Sequence, residues 1–539
     1  MSSEKEYIVT LKNPNDWNQF HDEMIKNISH NFIPNRSVHC TNDRPFSETQ
    51  SHYMLSESEA TNLLNDPRVL YVELDPDKDP TIEIRTTAQR YQTFDNSSNN
   101  VTYGMTNWGL LRSTSVSNPF ATTSSVTANF NYNLTGKGVD IVVIDTGIAE
   151  HHPEFAVNVN GTGGSRVQDY DWTRLGVTGI TALTGGSGIN GFLGDCDGHG
   201  SNCASIAAGN TCGWAKDSAI YSIRAIGSDT GSNTDIVTGK TLGLISSSLV
   251  FDLVKAFHLS KPILSNGYRR PTICTNSWQY SKTYQNMQQT SWRGTIYSTT
   301  STNSNYGEVS SSHGVRVNSV DVAMASAMSA GVIIIGAAGN SSHKCDIVGG
   351  IDYNNYWTDG SSIYYYHRGS TPGSGVAADT NNITWYSICV GALDNFSTER
   401  KASFSETGPR VDVYGPGVSI MGAYANRAVL GLNSVADPRL SGYYLNKISG
   451  TSQATPQVAG ILACAAQVRP WMNQSMARSW ISEHGLLNVL NEYTSSGTGY
   501  TNGYYLQGGT NSIIYMPFNS NQSITITGGV HVGAPIGAL

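Results

Sequence analysis

Val139-Asp-Ile-Val-Val-Ile-Asp145-Thr146-Gly147 is the stretch that decides the fold. A β-branched apolar run closed by an acid and a turn residue reads as a strand buried on both faces, with the acid at its C-terminal end. Open parallel sheets gather their functional groups at that edge. Working outward, comparable runs recur at Ile220–Ala225, Thr272–Asn276, Val332–Ile335 and Ser387–Val390, separated by helical stretches of small residues. The alternation predicts one α/β domain over 106–489, a mostly parallel twisted sheet with helices on both faces. Residues 280–315 and 341–384, rich in Ser, Asn, Gly and Tyr, read as surface insertions.

Ahead of this domain, residues 1–78 predict a small ferredoxin-like α+β unit of order β-α-β-β-α-β. Tyr7 to Lys12 alternates as a strand, and Trp17, Phe20, Met24, Ile25 and Ile28 follow at helical spacing. Ser56-Glu57-Ser58-Glu59 is a capping box that opens a second helix, with Leu63 and Leu64 expected inward. Val69 to Leu74 supplies the last strand. Residues 79–105 read as a linker, and 490–539 as a small β-rich tail whose last strand is Ser523 to Thr527.

Composition narrows the function classes. Hydrophobic residues make up 39% and charged residues 14%, against about 25% charged in typical soluble proteins. With a net charge of −8 and no basic run, nucleic acid and anionic membranes are disfavoured as partners. The most apolar segment, Ala323 to Gly339, reads as a buried helix running into a buried strand and not as a membrane span. Met-Ser-Ser-Glu-Lys-Glu at the start carries no signal-peptide pattern, so localisation is left open between the extracellular space and a viral particle. The eight cysteines form no CxxC pair. Cys274, Cys389 and Cys464 lie in apolar runs as buried thiols do; a disulfide framework would draw on Cys196, Cys203, Cys212 and Cys345.

Four segments carry chemistry. Asp145 ends its strand. Asp197-Gly198-His199-Gly200-Ser201 opens a helix of small residues through Ala208, and Ser449-Gly450-Thr451-Ser452-Gln453-Ala454-Thr455-Pro456 opens another. Ile335-Gly336-Ala337-Ala338-Gly339-Asn340 ends a strand with an amide. A serine at a helix N-terminus sits beside backbone N–H groups able to hold an oxyanion. Histidine is a base near neutral pH, and a buried Asp fixes its tautomer. Singly, each segment also reads as a turn, a structural histidine or an N-cap; together, in the order Asp, His, Ser, they read as a catalytic triad. Two rival readings exist. Asp-Thr-Gly recurs at 229–231, as an aspartic protease would require, and Asp195, Asp197 and His199 together have the makings of a metal site.

On the segments VVIDTGI, GHGSNCASIAAG, GAAGN and SGTSQATPQVAG the sequence resembles the subtilisin-like serine peptidases, nearest to the proteinase K and related extracellular branches. NWGLLRS, DSAIYSIRAI and SFSETGPRVDVYGPG support the match, which covers roughly 105–480. The resemblance implies serine endopeptidase activity on peptide or protein substrates, with Ser452 as nucleophile, His199 as general base and Asp145 orienting it. It further implies an oxyanion hole from Asn340 and the Ser452 N–H, and pairing of Ser277, Trp278 and Gln279 with an extended substrate. No cofactor is implied; structural calcium, frequent in the family, is not assignable to residues. EYIVTLKN and LLNDPRVLYVELD resemble the first and last strands of the family's inhibitory propeptide, which makes the N-terminal unit an expected inhibitor and the linker the expected processing region.

Departures from the family pattern are Gln453 in place of Met, Gln457 in place of His, Asn202 in place of His, and Trp278 in place of a smaller apolar residue. These flank the chemistry without removing any reacting group. Gln453, the absence of a signal-peptide pattern, the low charge and the extra tail support an alternative from another class: a catalytically silent structural or peptide-binding protein, for example a viral particle component, or a peptidase carried in a larger assembly. Cys203, one helical turn beyond His199, is expected as a free thiol beside the site.

Overall fold

A computed structural model describes residues 4–517 apart from 29–30, 45, 87, 90–106, 122–129, 131, 229–232, 236–238, 285–286, 299–311, 361, 379–382, 395–398, 425–434 and 493–504. The strand Asp140–Asp145 is buried along its whole length. It sits second in an eight-stranded sheet, in the order Ala219–Arg224, Asp140–Asp145, Thr272–Asn276, Ile333–Ala337, Ile388–Leu393, Val413–Pro416, Ser512–Ile513, Leu486–Leu487. All pairs are parallel except the last. The five expected strands are all present, with ends that differ by at most three residues: the run Ser387–Val390 gives the strand Ile388–Leu393. Because the first strand lies between the second and third, the strand order reverses beside it, and the crevice at such a point is where open sheets bind.

Alternate residues of these strands face different cores. Ile141, Val143, Ile273, Ile333 and Ile335 pack on the helix Thr451–Val468, while Val142, Ile144, Cys274 and Ile334 pack on Val250–Ser260 and Asn318–Ser329. Burial on both faces explains why the strands read as continuous apolar runs. The helices His199–Ala208 and Thr451–Val468 cross closely: a Cβ on Gly460 would lie 2.5 Å from the Ala207 carbonyl. Of the tail expected as a separate appendage, Ser512–Ile513 joins the main sheet beside Val413–Pro416, since Ile513 and Ile514 are fully buried there. The stretch 523–527 and the second Asp-Thr-Gly lie outside the described residues.

The N-terminal unit has the expected order, with four antiparallel strands, Cys40–Asn42, Gln50–Leu55, Lys5–Leu11 and Val69–Leu74, side by side. Trp17–Ile25 and Glu57–Leu63 cover one face around Val9, Phe20, Met24, Leu55 and Leu63. The Ser56/Glu59 capping box forms as read. Leu64, expected inward, is 54% exposed; the helix ends at Leu63, so the next residue leaves the buried stripe. Lys5–Leu11 does not alternate in burial, because the sheet's other face lies on the helix Asn318–Ser329.

That seat is polar as well as packed. Glu73 accepts from the Asn318 and Ser319 N–H groups at 3.2 and 2.8 Å, capping their helix. Asp77 accepts from Ser247 N at 2.8 Å. Arg44 and Asp252, 0% and 1% exposed, pair at 2.9 Å. Beyond the module the backbone runs on into two further ladders. Ile82–Thr86 pairs antiparallel with Trp278–Thr283, Thr86 opposite Trp278 and Arg85 opposite Gln279. Ala88–Gln89 pairs antiparallel with Gly450 and Ser449.

Candidate active site

Asp145 ends its strand at the C-terminal edge, and its Oδ1 lies 2.7 Å from Nδ1 of His199. Two local features bring them together. Gly200, next in the helix after His199, meets the end of the Asp145 strand so closely that a Cβ would lie 2.1 Å from the Gly147 carbonyl. Asp195 ties down the start of that helix: its two oxygens accept from Thr146 Oγ1, Asp197 N, Gly198 N, Ser201 N and Ser201 Oγ at 2.6–2.9 Å. A carboxylate so occupied has no lone pair to spare for a metal, so Asp195, Asp197 and His199 do not form a cation site. Asp195, read from the sequence as a candidate metal ligand, serves instead to cap the helix start: it lies three residues ahead of Gly198, and its oxygens take the N–H groups of that turn.

Ser452 is the second residue of its helix. Its Oγ donates to the Ser277 carbonyl at 3.0 Å, and Ser277 Oγ donates back to the Ser452 carbonyl at 2.9 Å. Pro456 explains why that carbonyl accepts from outside the helix: proline has no N–H to donate four residues back. The sulfur of Cys203 lies 3.5 Å from the same carbonyl and 3.9 Å from both ring nitrogens of His199, against the face of the ring. Asn340 accepts through Oδ1 from Thr451 N and Thr451 Oγ1, each at 2.9 Å, which leaves its amide nitrogen as the donor end. Asp145, His199, Ser277, Asn340 and Ser452 therefore meet at one sheet edge. Trp278 and Gln279 continue from it as the strand that pairs with Thr86 and Arg85. The Trp278 side chain is fully buried, stacked on Phe251 and edge-on to Tyr280.

The departures in sequence have structural partners. Gln453 Nε2 donates to Asn202 Oδ1 at 3.2 Å, so two of the substitutions bond each other. Gln457 exchanges two hydrogen bonds with Asn107 at 2.9 Å and accepts from the Trp214 indole at 2.7 Å.

Burial opposes charge on His199, yet the adjacent Asp145 carboxylate carries it well above the ordinary imidazole value. Burial pushes the Cys203 thiol up, so it stays protonated beside the ring. All eight cysteines are free. The framework from Cys196, Cys203, Cys212 and Cys345 does not form, and these four behave like the other buried thiols.

A model of the subtilase family matches residues 136–499, which include Asp145, His199, Asn340 and Ser452. The chain is similar to an extracellular serine proteinase of Thermus sp. (strain Rt41A), 26% identical over 435 residues, or 80% of this chain and 70% of that one. It is similar also to the subtilisin-like serine protease Pen c 1 of Penicillium citrinum, 24% identical over 409 residues, or 76% and 66% of the two chains. It thus spans about two thirds of the length of these relatives. Among solved structures it resembles a cold adapted subtilisin-like serine proteinase, with a TM-score of 0.44 and 20% identity over 76% of this chain and 98% of the other. This chain belongs to the subtilase family of serine peptidases.

Proposed function

We propose that Ser452, His199 and Asp145 carry the serine-endopeptidase chemistry of this subtilase, and that residues 1–87 are its built-in inhibitor. The observation that carries the reading is the course of the linker. The same backbone pairs with Trp278–Thr283 up to Thr86 and with Ser449–Gly450 from Ala88. In sequence a single residue, Thr87, lies between the two paired segments; it is outside the described residues. Extended backbone paired along a sheet edge is how peptides bind by strand addition, so the linker stands as the enzyme's first substrate.

His199 gives Nδ1 to Asp145, which leaves Nε2 as the base. The Ser452 hydroxyl, turned from the Ser277 carbonyl to Nε2, loses its proton there as Oγ attacks the Thr87 carbonyl carbon. The negative charge that forms on the carbonyl oxygen falls to the Asn340 amide and the Ser452 N–H. The bond to Ala88 breaks as Nε2 hands the proton to the departing amine. Water, activated by the same nitrogen, then releases the acyl group. This sequence needs no cofactor; structural calcium remains without assigned residues. Peptides and proteins are the substrates. We place its work outside the cell, on the strength of the extracellular Thermus relative.

N-terminal sequencing of the wild type and of Ser452→Ala, with fluorophosphonate labelling and mass mapping, tests both parts. Expected are a wild-type chain beginning at Ala88, an unprocessed variant and a label on Ser452. An intact wild-type chain with full activity overturns the inhibitor; an unlabelled, inactive one overturns the peptidase.

A further inference from the structure

The side chain of Gln279 occupies the ground where a substrate side chain beside the scissile bond must go. Along the strand that starts at Trp278, the side chains of Trp278 and Tyr280 turn into the core and are fully buried. Alternation then puts Ser277, Gln279 and Ser281 on the opposite face. In an antiparallel pair, residues directly opposite share a face. A bound chain in the register of Ile82–Thr86 therefore points the residue opposite Ser277, the one whose carbonyl Ser452 attacks, to the same side as Gln279.

The far wall on that side is the segment Ala337–Asn340. A Cβ built on Gly339 would lie 2.8 Å from Gln279 Oε1, 2.6 Å from Glu406 Cγ and 2.9 Å from Glu406 Oε1. The carboxamide of Gln279 thus crosses the slot from one wall to the other. It is held at both ends: the fully buried Ser370 donates its hydroxyl to Oε1 at 3.2 Å, and Nε2 donates to Ser281 Oγ at 3.3 Å. A longer substrate side chain has to break these bonds and leave Ser370 buried without an acceptor, and such a loss discriminates strongly.

Resting on the peptidase reading, we propose that Gln279, braced by Ser370, closes this pocket and makes the enzyme select alanine, serine or threonine immediately before the scissile bond. The chain's own linker agrees, offering Thr86-Thr87-Ala88 where the two ladders meet.

The test compares tetrapeptide chromogenic substrates that differ only in the residue before the cleaved bond: Ala, Ser, Thr, Leu, Phe and Lys. For the self-processed wild type, kcat/KM for the three small residues should exceed that for Phe and Lys by roughly 10- to 100-fold. In Gln279→Ala the Phe-to-Ala ratio should rise by at least about tenfold, and in Ser370→Ala by less, since only one brace is lost. A wild type that prefers Phe overturns the pocket, and so does an unchanged ratio in both variants. Preference for Lys also overturns it, by showing that Glu406 and not Gln279 meets the substrate. A wild type that cleaves none of the six and takes no fluorophosphonate on Ser452 overturns the peptidase reading itself, whereas labelling of Ser452 with the wrong preference leaves that reading standing.

Discussion

The ground around Ser452 and the ground beneath the N-terminal module are held by opposite means. Around Ser452 the polar groups bond within their own motifs or to a neighbouring strand end: Asp195 to the turn it opens, Asn340 to Thr451, Ser277 to Ser452. Nearly all are buried. Beneath the module, the bonds join separate folding units through ions and helix ends: Arg44 to Asp252, Asp77 to Ser247, Glu73 to Ser319. These are groups that water solvates well once the two surfaces part. A cradle of the first kind suits fixed catalytic geometry, and an interface of the second kind suits the proposed inhibitor, which has to hold and then be released.

The largest effect should come from the cradle. Ser452→Ala or His199→Ala should each cost about 10⁶ in kcat, a magnitude carried over from subtilisin itself. Asn340→Ala, which removes one donor to the oxyanion, should cost about 10²–10³. Steady-state kinetics on one peptide substrate checks all three, and equal small losses would break the assignment.

The seat should respond by less. Removing Arg44 leaves Asp252 buried and unpaired whenever the module is docked, a loss of about 3–5 kcal/mol. The inhibition constant of a segment 1–87 bearing Arg44→Ala, measured against processed enzyme, should rise by about two to three and a half powers of ten. An unchanged constant would show that packing on the helix Asn318–Ser329 alone holds the module.

How much could be read without the structure follows the same division. Asp145, His199, Asn340 and Ser452 each close a local pattern, a strand end or a helix start, and each was legible as residue and as position. The five sheet strands were legible because burial on both faces leaves unbroken apolar runs. What was not legible depends on distant surfaces. Nothing near residue 44 announces Asp252, and nothing near 279 announces Ser370 or the crowding at Gly339. Ser512–Ile513 carries too short a signal to be recognised as a sheet strand. Leu64 follows Leu63 with identical chemistry, and only the place where the helix stops decides which of them is buried.

The pH profile sharpens the contrast at the cradle. The proposed base, His199, can take a proton only when neutral, and the Asp145 carboxylate holds its pKa well above the ordinary imidazole value of 6.5. The acid limb of kcat/KM should therefore have its midpoint above that value, with activity falling about tenfold per pH unit below it. The proposed processing would open the cleft to water and relieve the burial that opposes charge on His199, while the Asp145 attraction persists. The limb should thus stay high in the mature enzyme. Asp145→Asn should move it down as well as lowering the rate. A limb at or below the ordinary value in the wild type would contradict the pairing.

The smallest effect belongs to the seat again, at Glu73. Its carboxylate receives the N–H groups of Asn318 and Ser319 and the Asn318 side-chain amide at 2.7–3.2 Å. It also meets the positive end of the helix dipole of Asn318–Ser329. Glu73→Gln keeps an oxygen able to accept one of those bonds but removes the charge. The change should weaken inhibition by about 0.5–2 kcal/mol, the usual worth of a helix cap, or roughly three- to thirtyfold in the inhibition constant. Because that charge is partly exposed to salt, the difference between wild type and variant should narrow as ionic strength rises, while the deficit of Arg44→Ala, fully buried, should not. Inhibition constants at low and high salt for both variants decide the point. If both deficits shrink together, the Arg44–Asp252 pair is as open to solvent as the cap, and the module is held by long-range attraction and not by a desolvated contact.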